Sequence, residues 1–264
     1  MTGPDMQFDG KVVVVTGAGS GIGAATARLF AERGAASVFL CDIDFGAATR
    51  AADSLRVGHA VALDVGDSTG VRDMFTDVLA AHGTLDVVVH AAGIDDPKSK
   101  QRTYDAADRG EPVDVLTHLD DEDWRRIMNV NLDGTFHVLR EAVRVMKPNR
   151  AGVIVTVGSS SAFDTLTGYP HYAASKAGVH ALSQAVAKEV APFGIRVNTV
   201  APGPVDTGMA QRTPERLRAA MTQNGFRGYA TAEELADNIA YLASDGAANV
   251  IGAVLLSNGG RFTV

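Results

Sequence analysis

Apolar and polar positions along this chain fall into short blocks. Lys11–Thr16, KVVVVT, is a continuous apolar run of the kind a strand shows when both faces are buried. Small and apolar residues then recur at helical spacing over Ile22–Arg33, and Gly34 supplies a stop. The alternation continues. Strands are predicted at Ser37–Asp42, His59–Leu63, Leu85–His90, Val153–Val157, Ile195–Val200 and Ala253–Leu256. Helices are predicted at Ala47–Leu55, Ser68–His82, Asp121–Met146, Pro170–Ala191, Thr213–Met221 and Glu233–Ser244. Pro148 ends the longest of these, and Thr231 with Glu234 has capping-box spacing before the last. Strands alternating with helices predict an α/β fold: a doubly wound, mostly parallel seven-stranded sheet with helices on both faces.

One stretch departs from the alternation. Residues 94–118 are polar and carry two prolines, and they read as an extended surface loop with room for one short helix. There is no internal repeat and no linker-like segment, so 1–264 is expected to form one domain.

Composition narrows the class. Apolar residues are 46% and charged residues 21%, as in ordinary globular proteins. The formal charge is -7 with no long basic run, which disfavours nucleic acid or an anionic membrane as a partner. Cys41 is the only cysteine, so neither an internal disulfide nor a thiolate metal cluster is expected. No His pair has metal-ligand spacing with a third partner. The start, MTGPDMQFDGK, lacks a basic segment followed by an apolar one, and no run is long enough to span a bilayer; a cytoplasmic protein is expected.

Three local patterns carry chemistry. Thr16–Gly23, TGAGSGIG, lies between a predicted strand and a predicted helix. Glycines there permit positive φ and close backbone approach, and the helix start offers amides to a pyrophosphate. A dinucleotide is the favoured occupant, although a flavin, another nucleotide or S-adenosylmethionine could use a similar turn. Asp42 ends the second strand, nineteen positions after Gly23. A carboxylate there can accept ribose hydroxyls and repel a 2′-phosphate. With Ser20 in the loop rather than a basic residue, this favours NAD over NADP. Finally, Tyr172 and Lys176 are four apart, and so share one helix face. An ammonium beside a phenol should favour the phenolate, and Ser159 upstream could bond a substrate oxygen. Alone, the Tyr–Lys pair is as readily the covering of an amphipathic helix.

Together these features resemble the short-chain dehydrogenase/reductase family in its compact form, from Lys11 to Gly260. The loop Gly17, Ser20, Gly21, Ile22 and Gly23 is similar to the family's TGxxxGxG cofactor motif. Asp64-Val65 resembles its adenine-contacting pair, and His90-Ala91-Ala92-Gly93 stands where NNAG is usual. Pro202-Gly203 with Val205 and Thr207 resembles the segment that covers the nicotinamide. Asn131, Ser159, Tyr172 and Lys176 match the family's active-site residues.

The resemblance implies interconversion of a secondary alcohol and a ketone. Ser159 would bond the reacting oxygen, Tyr172 would exchange its proton, Lys176 would hold the nicotinamide ribose and keep Tyr172 acidic, and Asn131 would support a water chain. It also implies a homotetramer. Departures are His90 for Asn, expected to alter packing rather than chemistry, Asn258 for Asp in a C-terminal DGG, and the long 94–118 excursion. Residues 204–230 are expected to cover the substrate, with Met209, Leu217, Met221, Phe226 and Tyr229 as a partly apolar lid. His171 is expected beside the site, His180 in a structural place, and His137 against a neighbouring subunit. A reductase of 3-oxoacyl thioesters, a non-catalytic NAD sensor and a methyltransferase are the competing readings.

Overall fold

The computed structural model describes residues 7–211, 213–215, 218 and 228–264. Seven strands form one parallel sheet: β1 (Val12–Thr16), β2 (Ser37–Asp42), β3 (Gly58–Ala62), β4 (Val87–His90), β5 (Gly152–Val157), β6 (Ile195–Pro202) and β7 (Val254–Ser257). Their spatial order is β3-β2-β1-β4-β5-β6-β7, and every pairing is parallel. The helices are α1 (Gly21–Glu32), α2 (Phe45–Asp53), α3 (Ser68–His82), α4 (Pro97–Arg109), α5 (Asp121–Met128), α6 (Gly134–Met146), α7 (Pro170–Val190), α8 (Gly208–Gln211) and α9 (Ala232–Ala243).

Two cores explain why the strands read as unbroken apolar runs. Val13 and Val15 of β1 point to one face, where they join Phe30 of α1 and Leu235 and Ile239 of α9. Val12 and Val14 point to the other, with Phe75 of α3, Leu139 of α6 and Val190 of α7. Alternate side chains of a strand leave opposite faces, so a strand covered on both sides needs apolar residues at every position.

The chain runs outward from β1 to β3, then returns to β4 on the other side of β1. That reversal opens a crevice at the C-terminal ends of β1 and β4, the usual ligand position in such sheets.

Two expectations need correction. Residues 94–118 are not simply a surface loop: they contain the thirteen-residue α4, opened by Pro97 with Asp96 as cap and closed by Gly110 at φ +66°. Asp95, Asp96, Ser99, Ala106 and Val115 are buried. The helix was hard to see because its buried side is small and polar, and Asp96 finds Arg126 and His171 only in the folded chain. The expected continuous helix 121–146 is interrupted by a π-helical turn, Asn129–Asp133, between α5 and α6. Most of the expected helix Thr213–Met221, and Leu217, Met221 and Phe226 of the expected lid, lie outside the described residues.

Candidate active site

The glycine loop is packed to backbone tolerance. Gly17 has φ +66°, and a Cβ there would stand 2.7 Å from the Ala92 nitrogen. A Cβ on Gly23 would stand 2.2 Å from the Gly17 carbonyl oxygen. Glycine is therefore required by shape, and the loop lies directly against Ala91-Ala92 at the end of β4. Thr16 stitches the two strands: its backbone carbonyl accepts from Ala91 N at 3.2 Å, and its side-chain hydroxyl accepts from Ala92 N at 3.3 Å and bonds His90 Nδ1 at 2.8 Å. His90 thus braces the sheet as a neutral imidazole: burial, helped by the Lys176 charge, pushes its pKa down to about 3.

Ser20 opens α1 in extended backbone without a side-chain cap, and Ile22 is half-buried behind it. Asp42 closes the loop from the side. Its Oδ2 accepts from Gly19 N at 2.9 Å and its Oδ1 from Asp44 N at 2.9 Å. A cradle of amides with no room for side chains, flanked by a carboxylate, fits a dinucleotide. Asp64 lies at the end of β3, one oxygen accepting from Gly66 N at 2.8 Å, and Val65 is buried against Gly134 of α6. His137 of α6 is half-buried, and its Nδ1 bonds the Val65 carbonyl at 3.0 Å.

After β6, Gly203 N donates to Ser257 O at 2.8 Å, and a Cβ on Gly203 would meet Asn258 Cα at 2.8 Å. Pro202 ends that strand, and Asn258 ties its own turn, accepting from Gly260 N at 3.0 Å and donating to Phe262 O at 2.9 Å. Val205 pairs with Ala230, and Thr207 reaches the glycine loop, its Cγ2 lying 3.2 Å from where a Cβ on Gly21 would sit.

Ser159, Tyr172, Lys176 and Asn131 meet at the same sheet edge. Ser159 follows β5 and caps a short 3₁₀ turn. Its Oγ accepts from Ser161 N at 3.2 Å and from Ser161 Oγ at 2.8 Å. With both acceptor positions engaged, its own proton is left to donate. His180 Nε2 accepts from Ser159 N at 3.3 Å, and Gly158 permits this: a Cβ there would stand 2.1 Å from that nitrogen. Burial and the Lys176 charge lower the His180 pKa to about 4, so it serves as a neutral acceptor.

Tyr172 and Lys176 share a face of α7, the ammonium 6.0 Å from the phenol ring centre. Lys176 Nζ donates to Val157 O at 2.9 Å, and burial lowers its pKa to about 8. Tyr172 is not acidified here, contrary to expectation. Burial raises its pKa, the Ser159 hydroxyl opposes that, and the Asp95 charge adds to it. Desolvation of the phenolate outweighs the Ser159 hydrogen bond in the protein alone.

Asn131 occupies the π-helical turn, a feature frequent at functional positions. Its Oδ1 accepts from Ile94 N at 2.8 Å, and its Nδ2 donates to Ile94 O at 3.0 Å and Ser175 Oγ at 3.1 Å. Gly93 makes room, since a Cβ there would lie 3.2 Å from Lys176 Nζ and 3.3 Å from Asn131 Oδ1. In this structure Asn131 therefore anchors the loop that carries Asp95.

The sequence does not show the Ser161 and Asp95 contacts, while His180, expected in a structural place, holds the Ser159 backbone. A signal existed for His180, which lies four residues after Lys176 on one helix face. None existed for Asp95, whose proximity to Tyr172 depends on the path of the β4–α4 connection. His171, expected beside the site, is fully buried with Nε2 3.4 Å from Asp96 Oδ2. Among the described residues no helix is long and apolar enough to cross a membrane.

Residues 17–261 match the family described as enoyl-(acyl carrier protein) reductase. The chain is 40% identical over 261 residues to cis-4-hydroxycyclohexanecarboxylate dehydrogenase of Sinomonas cyclohexanicum, covering 97% of this chain and 98% of the relative. It is 38% identical over 261 residues to the 3-oxoacyl-(acyl-carrier-protein) reductase of Thermotoga maritima, covering 97% and 99%. The crystal structure of gox2181 superposes with a TM-score of 0.86 at 30% identity, covering 98% of each chain. With the crevice, the glycine loop and the Ser–Tyr–Lys cluster in one place, the chain belongs to the short-chain dehydrogenase/reductase family of oxidoreductases.

Proposed function

We propose that this protein interconverts a secondary alcohol and a ketone, with NAD as cofactor and Tyr172 as general acid and base. The observation that carries the reading is the meeting of Ser159, Tyr172 and Lys176 beside the glycine loop, with the Ser159 proton left to donate. Gly17, Ser20, Gly21, Ile22 and Gly23 would hold the pyrophosphate, Asp42 the adenosine ribose, and Asp64 and Val65 the adenine side. Ala91, Ala92 and Gly93 would line the ring side, with Pro202, Gly203, Val205 and Thr207 above. When bound, the nicotinamide supplies the hydride acceptor or donor.

The residues do the rest. Ser159 donates to the reacting oxygen and fixes its place. Tyr172 takes the hydroxyl proton on oxidation and returns it on reduction. Positioned proton transfer is worth roughly 10²–10⁴-fold in rate. Lys176, with its pKa near 8, supplies a charge that an adjacent ribose hydroxyl or phenolate would stabilise further. Asn131 holds the Ile94 backbone and would support a water chain that carries the proton outward.

Asp42 supports NAD over NADP, because its half-buried carboxylate already faces the loop at Gly19. The Sinomonas relative is by name a dehydrogenase of a ring alcohol, which supports oxidation of a secondary carbinol. A second reading, reduction of 3-oxoacyl thioesters, is favoured by the Thermotoga relative. A panel of cyclic and acyclic alcohols, ketones and 3-oxoacyl thioesters, followed at the nicotinamide absorbance with both cofactors, separates the two. Turnover of alcohols with NAD is expected; turnover confined to thioesters with NADPH overturns the reading. No turnover at all, with tight NAD binding, would leave a sensor. Assembly as a homotetramer belongs to the same proposal and is checked by light scattering.

A further inference from the structure

After β6, the segment formed by the described residues 203–211 and Thr213 crosses from the glycine loop to α4. At one end Thr207 packs against Gly21, with 3.2 Å between its Cγ2 and the position of a Cβ there. At the other end two residues of α4, one turn apart, take hold of it. Lys100 Nζ donates to the Met209 carbonyl at 3.2 Å, and Tyr104 Oη donates to Thr213 Oγ1 at 3.2 Å. The helix between these ends, α8, has only four residues. A helix that short has no stability of its own and holds its shape through tertiary contacts.

Lys100 has a second engagement. It forms an ion pair with the buried Asp95, and its own side chain is only 15% exposed. Asp95 lies at the end of the loop that Asn131 anchors through Ile94, close enough to Tyr172 for its charge to oppose phenolate formation. One ammonium therefore touches both the cover and the carboxylate beside the proton-transfer group.

α4 itself is fixed in place independently. Asp96 accepts from Ser99 N at 3.1 Å and from Ser99 Oγ at 2.5 Å, and pairs with Arg126 of α5 at 3.3 Å. Thr103 sits against Gly168, where a Cβ would stand 2.3 Å from its Oγ1.

We propose that Lys100 and Tyr104 form a docking face that holds the segment after β6 across the mouth of the site, and that Lys100 couples this docking to the charge beside Tyr172. Lys100 is a positioning residue on this view. The coupling half rests on the role proposed above for Tyr172; the docking half does not. Among the described residues, the charged and titratable groups around Tyr172 and Asp95 include Lys100 and Tyr104 of α4, Tyr169 just before α7, which is hydrogen-bonded to Tyr104, and Lys176 of α7. Loss of the Lys100 charge leaves a more negative surrounding, which moves phenolate formation to higher pH.

Two measurements on the full-length protein test this. Amide hydrogen exchange is followed in the peptide covering Thr207–Gln211, where Ala210 N and Gln211 N donate to Thr207 O. In Lys100→Met and in Tyr104→Phe this peptide should exchange about tenfold faster, with β1 and β5 unchanged as the check on folding. Unchanged exchange in both variants overturns the docking. The pH dependence of alcohol oxidation is the second readout. Its ascending, acid-side limb should move up by about one unit in Lys100→Met and return in the Asp95→Asn/Lys100→Met double variant, while exchange stays fast. A limb that stays fixed in Lys100→Met overturns the coupling. If the wild-type protein oxidises no alcohol, the reading of the reaction fails and the exchange result alone decides the docking.

Discussion

Replacing Asp42 with serine tests the cofactor reading where charge alone should decide it. The carboxylate ends β2, half-buried, with Oδ2 accepting from Gly19 N and Oδ1 from Asp44 N, both at 2.9 Å. Each oxygen keeps a lone pair for a ribose hydroxyl. A hydrogen bond to a charged group is worth about 1.5–3 kcal/mol, so the variant should use NAD about ten- to a hundredfold less well. The effect on NADP has the opposite sign. At about 5 Å and an effective dielectric of about 40, two unit like charges cost about 1.7 kcal/mol. A phosphate carries about −1.5 to −2 charges, which brings the repulsion to roughly 3 kcal/mol and the relief to about a hundredfold. The ratio of kcat/KM for NAD over NADP should therefore fall by about three orders of magnitude. Serine keeps an acceptor for Gly19 N, so the loop retains its tie. Initial rates with each cofactor at a fixed alcohol concentration measure the ratio. The wild-type penalty on NADP should also shrink as salt is added. A ratio that changes less than about fivefold, or an equal loss for both cofactors, would refute the assignment of Asp42.

Four further outcomes are expected. Tyr172→Phe should abolish turnover while the cofactor still binds, read by the fluorescence of NADH; turnover near the wild-type rate would sink the general-base assignment. Ser161→Ala removes the 2.8 Å bond into Ser159 Oγ, so kcat should fall about three- to tenfold with KM little changed. Gly23→Ala brings a Cβ to 2.2 Å from a backbone oxygen, and overpacking of this kind costs about 1–3 kcal/mol, read as a Tm lower by several degrees and as lost cofactor affinity. Finally, His90 and His180 are buried neutral, with pKa values near 3 and 4, against about 6.5 when unfolded. Between those values the unfolded chain binds more protons, so stability falls as pH drops from about 6.5 to about 4. His90→Asn should flatten that slope in urea titrations at stepped pH, and an unchanged slope would exclude His90 as a source.

Much of the candidate site was legible because its parts are contiguous. Thr16–Gly23 carries its own turn geometry, and Tyr172 and Lys176 meet through helix periodicity alone. The 94–118 stretch was not legible as a packed element. Its helix has starting and stopping signals in Pro97 and Gly110, but the side it buries shows Ser99 and Ala106, which look like surface residues until Asp96 meets Arg126. The turn around Asn131 looks like ordinary helix in the sequence, since nothing in NVNLD distinguishes a five-residue register from a four-residue one.

The division follows from the range of the forces. Sequence by itself determined the strand–helix alternation, the glycine loop, Asp42 at the strand end and the Tyr172–Lys176 pair, all of which depend on steric and periodic effects within a few residues. Tertiary structure alone decided the electrostatics. Lys176 falls to about 8, and Tyr172 rises rather than falls, because desolvation is summed over every element that covers them. It also decided that Asp95 stands beside Tyr172 and that Lys100 reaches the segment after β6. Those contacts join residues up to 109 positions apart, a separation across which no local pattern carries information.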